Sequence, residues 1–209
     1  MTDSKTLEAY IAEQRFALMS NPDCGMTHYN LGTALLSTRD FEGAENEFIE
    51  AVRCSPNLAE AYVQLGGICL SKGDVEGCLA YNKQSVSVRA GFAEGYANIG
   101  FVQLQKGNVE EAIAALIKAV KFNTRFVQAL ATLGNAYLFA GDVDKSIEMS
   151  QKAIEIEPDF AVAHNNLAIA CLEKGDRKKA VYHFDRAKGL DYPVATEIEA
   201  EIEAVRKEL

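Results

Sequence analysis

The chain repeats its pattern of large and small apolar residues every 34 positions. Glycine or alanine stands at five successive marks, with a large aliphatic residue directly before each. The marks are Gly32, Gly66, Gly100, Gly134 and Ala168. Small residues return twelve and nineteen positions after each mark, as Ala44 and Ala51 do after the first. Small residues at fixed intervals are typical of helices that cross closely, so the period predicts two packed helices per unit.

Each predicted helix pair turns at a glycine followed by Asp or Asn. The four dipeptides are Gly73-Asp74, Gly107-Asn108, Gly141-Asp142 and Gly175-Asp176. Glycine can take the left-handed conformation that ends the first helix, and the Asp or Asn side chain accepts from free N–H groups that open the second. Arg39 stands in place of the first glycine. A positive φ at Arg39 would cost about 1 kcal/mol relative to glycine, which predicts a looser or differently closed turn there.

An amphipathic helix is predicted at each end of the array. From about Asp3 to Ser20, one helical stripe carries Leu7, Tyr10, Ile11, Gln14 and Leu18. After Pro193, a second stripe carries Ile198, Ile202 and Val205, and glutamates crowd the opening turns. Terminal helices of this kind cap a stack whose end would otherwise expose an apolar face. The stretch 177–188 is rich in Lys and Arg, and we expect it to face the acidic C-terminal cap.

The residues around the marks resemble the tetratricopeptide repeat. The first unit carries Leu31-Gly32, Ala44, Phe48, Ala51 and Pro56, and the fourth carries Leu133-Gly134, Tyr137, Ala153 and Pro158. The middle units depart from the family pattern, since Asn82 and Ser150 stand where it has an aromatic residue. The resemblance implies an all-α, right-handed superhelical α-solenoid of about five helix–turn–helix hairpins with a capping helix at each end. The predicted segments are an N-terminal cap at 1–24, repeats at 25–58, 59–92, 93–126, 127–160 and 161–193, and a C-terminal cap at 194–209.

Composition narrows the class of protein. The 209 residues are 48% hydrophobic and 24% charged, as in ordinary globular proteins, and contain no apolar run near the ~20 residues of a membrane span. A net charge of −9 argues against a nucleic-acid partner, because phosphate contacts need clustered Lys and Arg. Five cysteines without CxxC spacing fit a reducing compartment, and no basic-plus-apolar leader opens the chain. We therefore predict a cytoplasmic protein without membrane insertion.

No motif in the sequence indicates catalysis. His28 and His164 occupy equivalent positions four residues before a mark, and we expect both to pack between helices. His183 is not spaced from Cys171 or Asp185 so as to build a nucleophile–base arrangement on one helical face. Gly-rich phosphate loops, HExxH and paired cysteine ligands do not occur. We predict a protein that is not an enzyme, with no catalytic residue, no cofactor and no metal site. Cys69, Cys78 and Cys171 are expected in the core.

In the resembled family, the first helix of each repeat lines a concave face. The positions two before each mark hold Asn30, Gln64, Asn98, Thr132 and Asn166. Four of these five are amides, which can pair with both the C=O and the N–H of a peptide unit. The column is similar to the asparagine ladder in the repeat domain of the nucleocytoplasmic O-linked N-acetylglucosamine transferase. This similarity implies an extended peptide held by its backbone; the alternative is that the amides only hydrate an empty face.

Side chains beside the amides are expected to give selectivity. Those predicted to line the groove with them are Tyr29, Phe101, Asn135, Phe139 and Asn165. The groove positions hold no Lys or Arg, so the carboxylate clamp that family members use for chaperone tails is missing. Glu60, Glu94 and Glu173 favour neutral or basic partner segments.

Two functions remain open from the sequence. The first is a non-catalytic adaptor that binds an extended, neutral or basic peptide segment of a partner protein in its concave groove. The alternative is a structural scaffold that self-assembles and organises a multiprotein complex through its ends or convex face.

Overall fold

The computed structural model describes residues 2–208 of the chain, with side chains from Thr6 to Glu208. Met1 and Leu209, which the predicted terminal segments include, lie outside the described residues. Within this range every regular element is an α-helix, so the predicted all-α fold is confirmed. The chain divides into two compact units, Met1–Asn98 and Ile99–Leu209.

The first unit contains one terminal helix and two helical hairpins. Its helices are α1 (Thr2–Ser20), α2 (Gly25–Ser37), α3 (Phe41–Cys54), α4 (Ala59–Ser71) and α5 (Val75–Val88), followed by the start of α6 (Ala93–Gln105). Helix α2 packs on α3, and α4 packs on α5. Leu31, Phe48 and Leu65 lie in the core between them, at most 1% exposed. Ile11 and Leu18 of α1 pack against the same core, as the predicted capping stripe requires.

The second unit continues from α6 with the same arrangement. Its helices are α7 (Val109–Phe122), α8 (Val127–Phe139), α9 (Val143–Ile156), α10 (Ala161–Glu173), α11 (Arg177–Gly189) and α12 (Thr196–Lys207). Helix α8 packs on α9, α10 packs on α11, and α12 packs on α11. Ile202 of α12 is fully buried beside Phe184, so the stripe predicted after Pro193 is an element of the core.

At the four glycine marks, a side chain of the partner helix lies directly on the backbone and leaves no room for a Cβ atom. A Cβ atom added at Gly32 would lie 2.8 Å from the Phe48 ring, and one at Gly134 would lie 2.5 Å from Ser150 Oγ. Both distances are too short for a Cβ contact, so neither glycine can be replaced without movement of its helix or its partner. Ser150 replaces the aromatic residue in the fourth repeat, and Ser146 stands at the small-residue position twelve after the mark; the buried hydroxyls of both have no hydrogen-bond partner in the described structure.

The predicted left-handed turns are confirmed. Gly73, Gly107, Gly141 and Gly175 have φ values of 75–79°. The looser turn predicted at Arg39 is wrong, because Arg39 adopts φ 63° and closes the turn as glycine does. Its amide donates to Leu36 O at 2.9 Å, just as the amide of Gly73 donates to Leu70 O at 3.0 Å. The hydrogen bonds of the turn therefore outweigh the strain of one non-glycine residue.

The predicted N-caps form at the Asp positions and fail at Asn108. Asp74 Oδ1 accepts from the Gly77 amide at 2.8 Å, and Asp40, Asp142 and Asp176 accept from the equivalent amides. The Asn108 side chain makes no capping bond and instead donates from Nδ2 to Gln103 Oε1 at 3.0 Å. The prediction of a cap at Asn108 is wrong, because the Asn108 side chain hydrogen-bonds to Gln103 on the preceding helix instead of to the free amides of α7.

Ion pairs join α11 and α12 at the end of the second unit. Arg177 contacts Glu208 at 2.7 Å, Arg206 contacts Asp185 at 2.6 Å, and Lys188 contacts Glu199. Arg177 and Lys188 of α11 therefore face the acidic helix α12 as predicted, whereas Arg186 pairs with Asp159 and Lys179 pairs with Asp176. All of these side chains are well exposed, so each pair adds little stability and mainly sets the orientation of the helix.

Candidate functional site

A cavity of about 700 Å³ lies within the second unit. It is lined by Phe101, Leu104, Gln105, Gly107, Gln128, Ala131, Thr132, Asn135, Phe139, Phe160, Val162 and Tyr192. Four of these, Phe101, Thr132, Asn135 and Phe139, are residues that the sequence predicted for the groove. None of the twelve lining residues is charged. The cavity can therefore receive an uncharged group without leaving a buried charge unpaired.

Helical spacing puts these side chains in one place. Gln128, Thr132, Asn135 and Phe139 follow one another at intervals of four, three and four residues, so they form one stripe along α8. Phe139 is 68% exposed, so most of its ring is open to water beside the cavity. Exposed aromatic side chains beside a cavity are typical of protein-interaction surfaces.

Polar groups at the rim are free to bind. Thr132 Oγ1 donates to the Gln128 backbone carbonyl at 2.7 Å, which leaves the hydroxyl oxygen as an acceptor. Within the described structure, the side-chain amides of Gln105, Gln128 and Asn135 have no hydrogen-bond partner of their own. These three amides offer both donors and acceptors around an apolar centre.

The predicted ladder of equivalent amides does not exist in the second unit. Asn166 is 2% exposed, and its Nδ2 donates to the Ala131 carbonyl at 2.9 Å. It is buried between α10 and α8, where it satisfies a helix carbonyl, so the prediction that Asn166 contacts a peptide is wrong. Asn165, beside it, is only half-buried and has no partner within the described residues.

Asn98, in the first unit, is also used internally. Its Nδ2 donates to Asn82 Oδ1 at 3.0 Å, and the fully buried Asn82 donates in turn to the Cys78 carbonyl at 2.8 Å. Asn82 stands where the family has an aromatic residue, and Asn98 supplies the hydrogen bond that this buried amide needs. One donor of Asn98 is therefore used inside the protein, whereas its second N–H and its oxygen remain available at this half-buried position, so its contact with a peptide stays a prediction.

The other predicted groove residues of the first unit differ in how far they are buried and in what they contact. The Tyr29 ring packs against Phe48 with centroids 5.7 Å apart, so it belongs in part to the core. Tyr29 and Asn30 line a cavity of about 240 Å³ together with Leu7 and Tyr10 of α1. Gln64 is half-buried and has no hydrogen-bond partner within the described residues.

One acidic residue expected to attract basic segments is already neutralised. Glu60 binds Arg89 through both carboxylate oxygens, at 2.5 and 2.9 Å. Partial desolvation opposes ionisation of Glu60, but the Arg89 hydrogen bonds outweigh it and lower the pKa of this carboxyl. Glu60 therefore contributes little net charge toward a ligand.

The histidines form pairs that the sequence analysis missed. His164 Nε2 lies 2.8 Å from the Pro158 carbonyl, and its Nδ1 lies 3.0 Å from His183 Nδ1. Because a carbonyl only accepts, Nε2 of His164 carries a proton, and in the neutral pair His183 donates to Nδ1 of His164. Burial, together with the neighbouring His164 and Lys179, lowers the pKa of His183 to about 4. The spacing of 19 residues, which also separates His28 from Glu47, was the signal in the sequence.

A smaller cavity of about 390 Å³ adjoins this pair. It is lined by Ile147, Gln151, Leu167, Cys171, Lys174, Asp176, Lys179 and His183. Burial raises the pKa of Cys171, so its thiol is not activated as a nucleophile. Cys69, Cys78 and Cys171 are all buried, as predicted.

Sequence reasoning missed the other eight residues of the larger cavity, among them four with large polar or aromatic side chains. Gln105 and Gln128 lie four residues from Phe101 and Thr132, so helical spacing alone would have found them. Phe160 and Tyr192 come from loops, where periodicity gives no signal.

Among the described residues, no helix combines the length and apolar character that crossing a membrane requires.

Comparison with solved structures shows similar helical arrays. The chain is 29% identical to MamA over 77% of this chain and 94% of that chain, with a TM-score of 0.66. A MamA fragment from Desulfovibrio magneticus RS-1 is 24% identical, covering 81% of this chain and 96% of that one, with a TM-score of 0.68. YrrB, described as a TPR protein with an unusual peptide-binding site, is 20% identical over 85% and 91% of the two chains, with a TM-score of 0.68. No curated protein sequence matches the chain.

Family models agree with the internal period. One tetratricopeptide repeat model matches residues 93–125 and 127–160. A second tetratricopeptide repeat model matches residues 6–59 and 29–84. These matches cover most of the chain, and the helical hairpins with small residues at their crossings are the structure that the family predicts. The chain belongs to the tetratricopeptide repeat family.

Proposed function

We propose that the protein is a non-catalytic adaptor that binds an extended, uncharged segment of a partner protein at the cavity of the second unit. The observation that carries this proposal is the uncharged lining of the 700 Å³ cavity, with Phe101 and Phe139 exposed beside it. An apolar cavity with a few free polar groups is the usual form of a ligand site.

The lining indicates the chemistry of the ligand. A large aliphatic or aromatic side chain of the partner fills the apolar centre, and its flanking peptide groups meet the amides of Gln128 and Asn135. An extended chain advances about 3.3 Å per residue, so only a few ligand residues fit over this stripe of α8. Neutral segments suit the site better than basic ones, because no acidic side chain lines the cavity.

One buried anchor gives modest affinity. An aromatic side chain buries about 150–250 Å², which at about 25 cal/mol per Å² contributes roughly 4–6 kcal/mol. Association and the ordering of both partners cost several kcal/mol. The anchor therefore needs the neighbouring hydrogen bonds to hold a partner, and the complex should be transient.

The test is a selection of random displayed peptides on the full chain, followed by titration of the selected peptides against variants. We expect the peptides to share one aromatic or large aliphatic residue in an uncharged context. The variants Phe139→Ala and Asn135→Ala should weaken binding, with Phe139→Ala losing about tenfold or more. Phe41→Ala is the matched control, because Phe41 is 51% exposed on α3, in the other unit. Equal binding by wild type and Phe139→Ala would contradict the proposal.

Self-assembly remains a second candidate because of the exposed face of α1. Phe16 is 68% exposed and Met19 is 82% exposed on this helix. Side chains of this size in water favour association with another apolar surface. Sedimentation velocity over about a hundredfold range of protein concentration tests this candidate. A species that stays monomeric at every concentration rules it out, and association that Phe16→Ser with Met19→Ser abolishes supports it.

A further inference from the structure

Metal-ligand side chains of two different helices meet in the first hairpin. One nitrogen of His28 on α2, a carboxylate oxygen of Glu50 and Cys54 Sγ on α3 all lie within 4.8 Å of one another. Glu50 and Cys54 are four residues apart, so they occupy the same face of α3. The sequence analysis predicted no metal site because no ligand motif occurs along the chain, and such motifs do not reveal donors that two helices bring together.

We propose that His28, Glu50 and Cys54 bind a Zn²⁺ ion. Imidazole, carboxylate and thiolate are the three ligand types that zinc takes in proteins, at about 2.0–2.3 Å. Tetrahedral ligands at such distances lie roughly 3.3–3.7 Å apart, so the donors need to close by only about 1 Å. A fourth donor is at hand, since Asp23 Oδ1 lies 3.8 Å from Cys54 Sγ.

The histidine is oriented as a metal ligand would be. His28 Nε2 lies 2.8 Å from the Pro22 carbonyl, so this nitrogen carries a proton and donates it. A ligating histidine commonly donates its other N–H to a backbone carbonyl, which fixes the ring and its tautomer. The remaining nitrogen, Nδ1, lies 2.6 Å from Glu47 Oε2. A contact of this length is a hydrogen bond, so a metal ion that binds Nδ1 replaces the shared proton and separates His28 from Glu47.

Arg53 currently supplies positive charge to the cluster. Its guanidinium lies 2.6 Å from Glu50 Oε2 and 3.1 Å from Asp23 Oδ1. The Arg53 side chain is 58% exposed, so it can move into water when a metal ion takes its place. Metal binding and the Arg53 ion pairs are therefore alternatives for the same carboxylates.

The other repeats lack this set of donors, which makes the chain its own control. Repeat 5 keeps a histidine, His164, at the position of His28. At the positions of Glu50 and Cys54 it has Arg186 and Leu190, which cannot bind a cation. A conserved packing role for the histidine explains both repeats, but only the first hairpin surrounds it with anionic donors.

The experiment uses the full, untagged chain with Co²⁺ as a spectroscopic probe and Zn²⁺ as competitor. We expect Co²⁺ to give a near-ultraviolet thiolate charge-transfer band and visible bands of tetrahedral intensity, both removed by Zn²⁺. Cys54→Ser should abolish the charge-transfer band. Glu50→Gln should lower the Zn²⁺ affinity by about tenfold or more, the scale seen even for outer partners of ligands.

Cys24→Ser is the matched control, because Cys24 is a half-buried thiol next to Asp23 and outside the donor group. Circular dichroism of each variant checks that the helices are intact. The proposal is overturned if wild type shows no charge-transfer band, or if Cys54→Ser retains it. It is equally overturned if Cys24→Ser removes the band while Cys54→Ser does not.

Discussion

Equivalent residues of different repeats share one backbone contact and differ in the rest. His28 and His164 each lie 2.8 Å, through Nε2, from the carbonyl of a proline six residues earlier. Tyr62 replaces them in the second repeat and donates its hydroxyl proton to the Pro56 carbonyl at 3.2 Å. This position thus ties the start of the first helix to the loop before it. The residue across from it differs, because His28 meets Glu47 and His164 meets His183.

The pair of His164 and His183 should make the second unit sensitive to acid. The folded pKa of His183, about 4, lies below its ordinary value of 6.5, so the unfolded chain binds this proton more readily. Stability should therefore fall as the pH drops from about 6.5 toward 4. Lys179 and His164 oppose the charge on His183, and Asp176 favours it only partly.

The variant His183→Gln cannot take up this proton. Its melting temperature, followed by circular dichroism, should fall less between about pH 7 and pH 4.5 than that of wild type. Equal slopes for the two proteins would show that His183 does not titrate in this range.

The positive φ at the hairpin turns should make substitutions at Gly73 and Arg39 change stability in opposite directions. Gly73 has φ 78° and open space around its Cβ position, so Gly73→Ala should destabilise by about 1 kcal/mol through strain alone. Arg39 adopts φ 63° although it has a side chain, so Arg39→Gly should remove this strain and stabilise the protein by about the same amount. Urea unfolding measures both changes, and Arg39→Ala is the control that keeps the strain. Stabilisation by Arg39→Ala equal to that by Arg39→Gly would contradict this explanation.

At the level of the helix, capping depends on whether the side chain reaches the free amides. Asp74 accepts from the Gly77 amide at 2.8 Å, and Asp74→Ala should cost about 1 kcal/mol. Asn108 holds the equivalent place without a capping bond, so Asn108→Ala should cost clearly less. Urea unfolding of the two variants gives the comparison. A larger loss for Asn108→Ala would indicate that its bond to Gln103 matters more than a cap.

The C-terminal helix should be a structural part of the second unit. Ile202 is fully buried against Ala180 and Phe184, so Ile202→Ala should destabilise by about 2–5 kcal/mol. Ile117 on α7 is 46% exposed, and the same substitution there should cost far less. Thermal melting distinguishes them. If the two variants melt alike, α12 contributes no packing energy.

At the scale of the whole molecule, an acidic protein contains a cavity whose lining is uncharged. The net charge is −9, yet none of the cavity residues carries charge. The affinity for a selected uncharged peptide should therefore change by less than about twofold between roughly 0.05 and 0.5 M NaCl, because salt screens only charge interactions. Fluorescence polarisation of a labelled peptide at several salt concentrations measures this affinity. A steep loss of affinity with salt would mean that charged residues outside the cavity hold the peptide.

Much of the fold was accessible from the sequence because repetition multiplies each weak signal. Four glycines at equal spacing, four turns and one aliphatic residue before every mark agree on the same hairpin, so the helices followed directly. The candidate site was only partly accessible. Phe101, Thr132, Asn135 and Phe139 meet at the cavity as helical spacing predicts. Phe160 and Tyr192 reach it from loops, whose paths no periodicity describes.

The sequence by itself determined the family, the all-α fold, the left-handed turns and the small residues at the helix crossings, because each depends on local spacing and backbone geometry. Only the tertiary structure decided what the amides do. Asn98 and Asn166 share a register with Asn30 and Gln64, yet their amide N–H groups bind a buried side chain and a buried carbonyl inside the protein. An amide binds the nearest unsatisfied partner in three dimensions, and the register of a repeat does not reveal which partner that is.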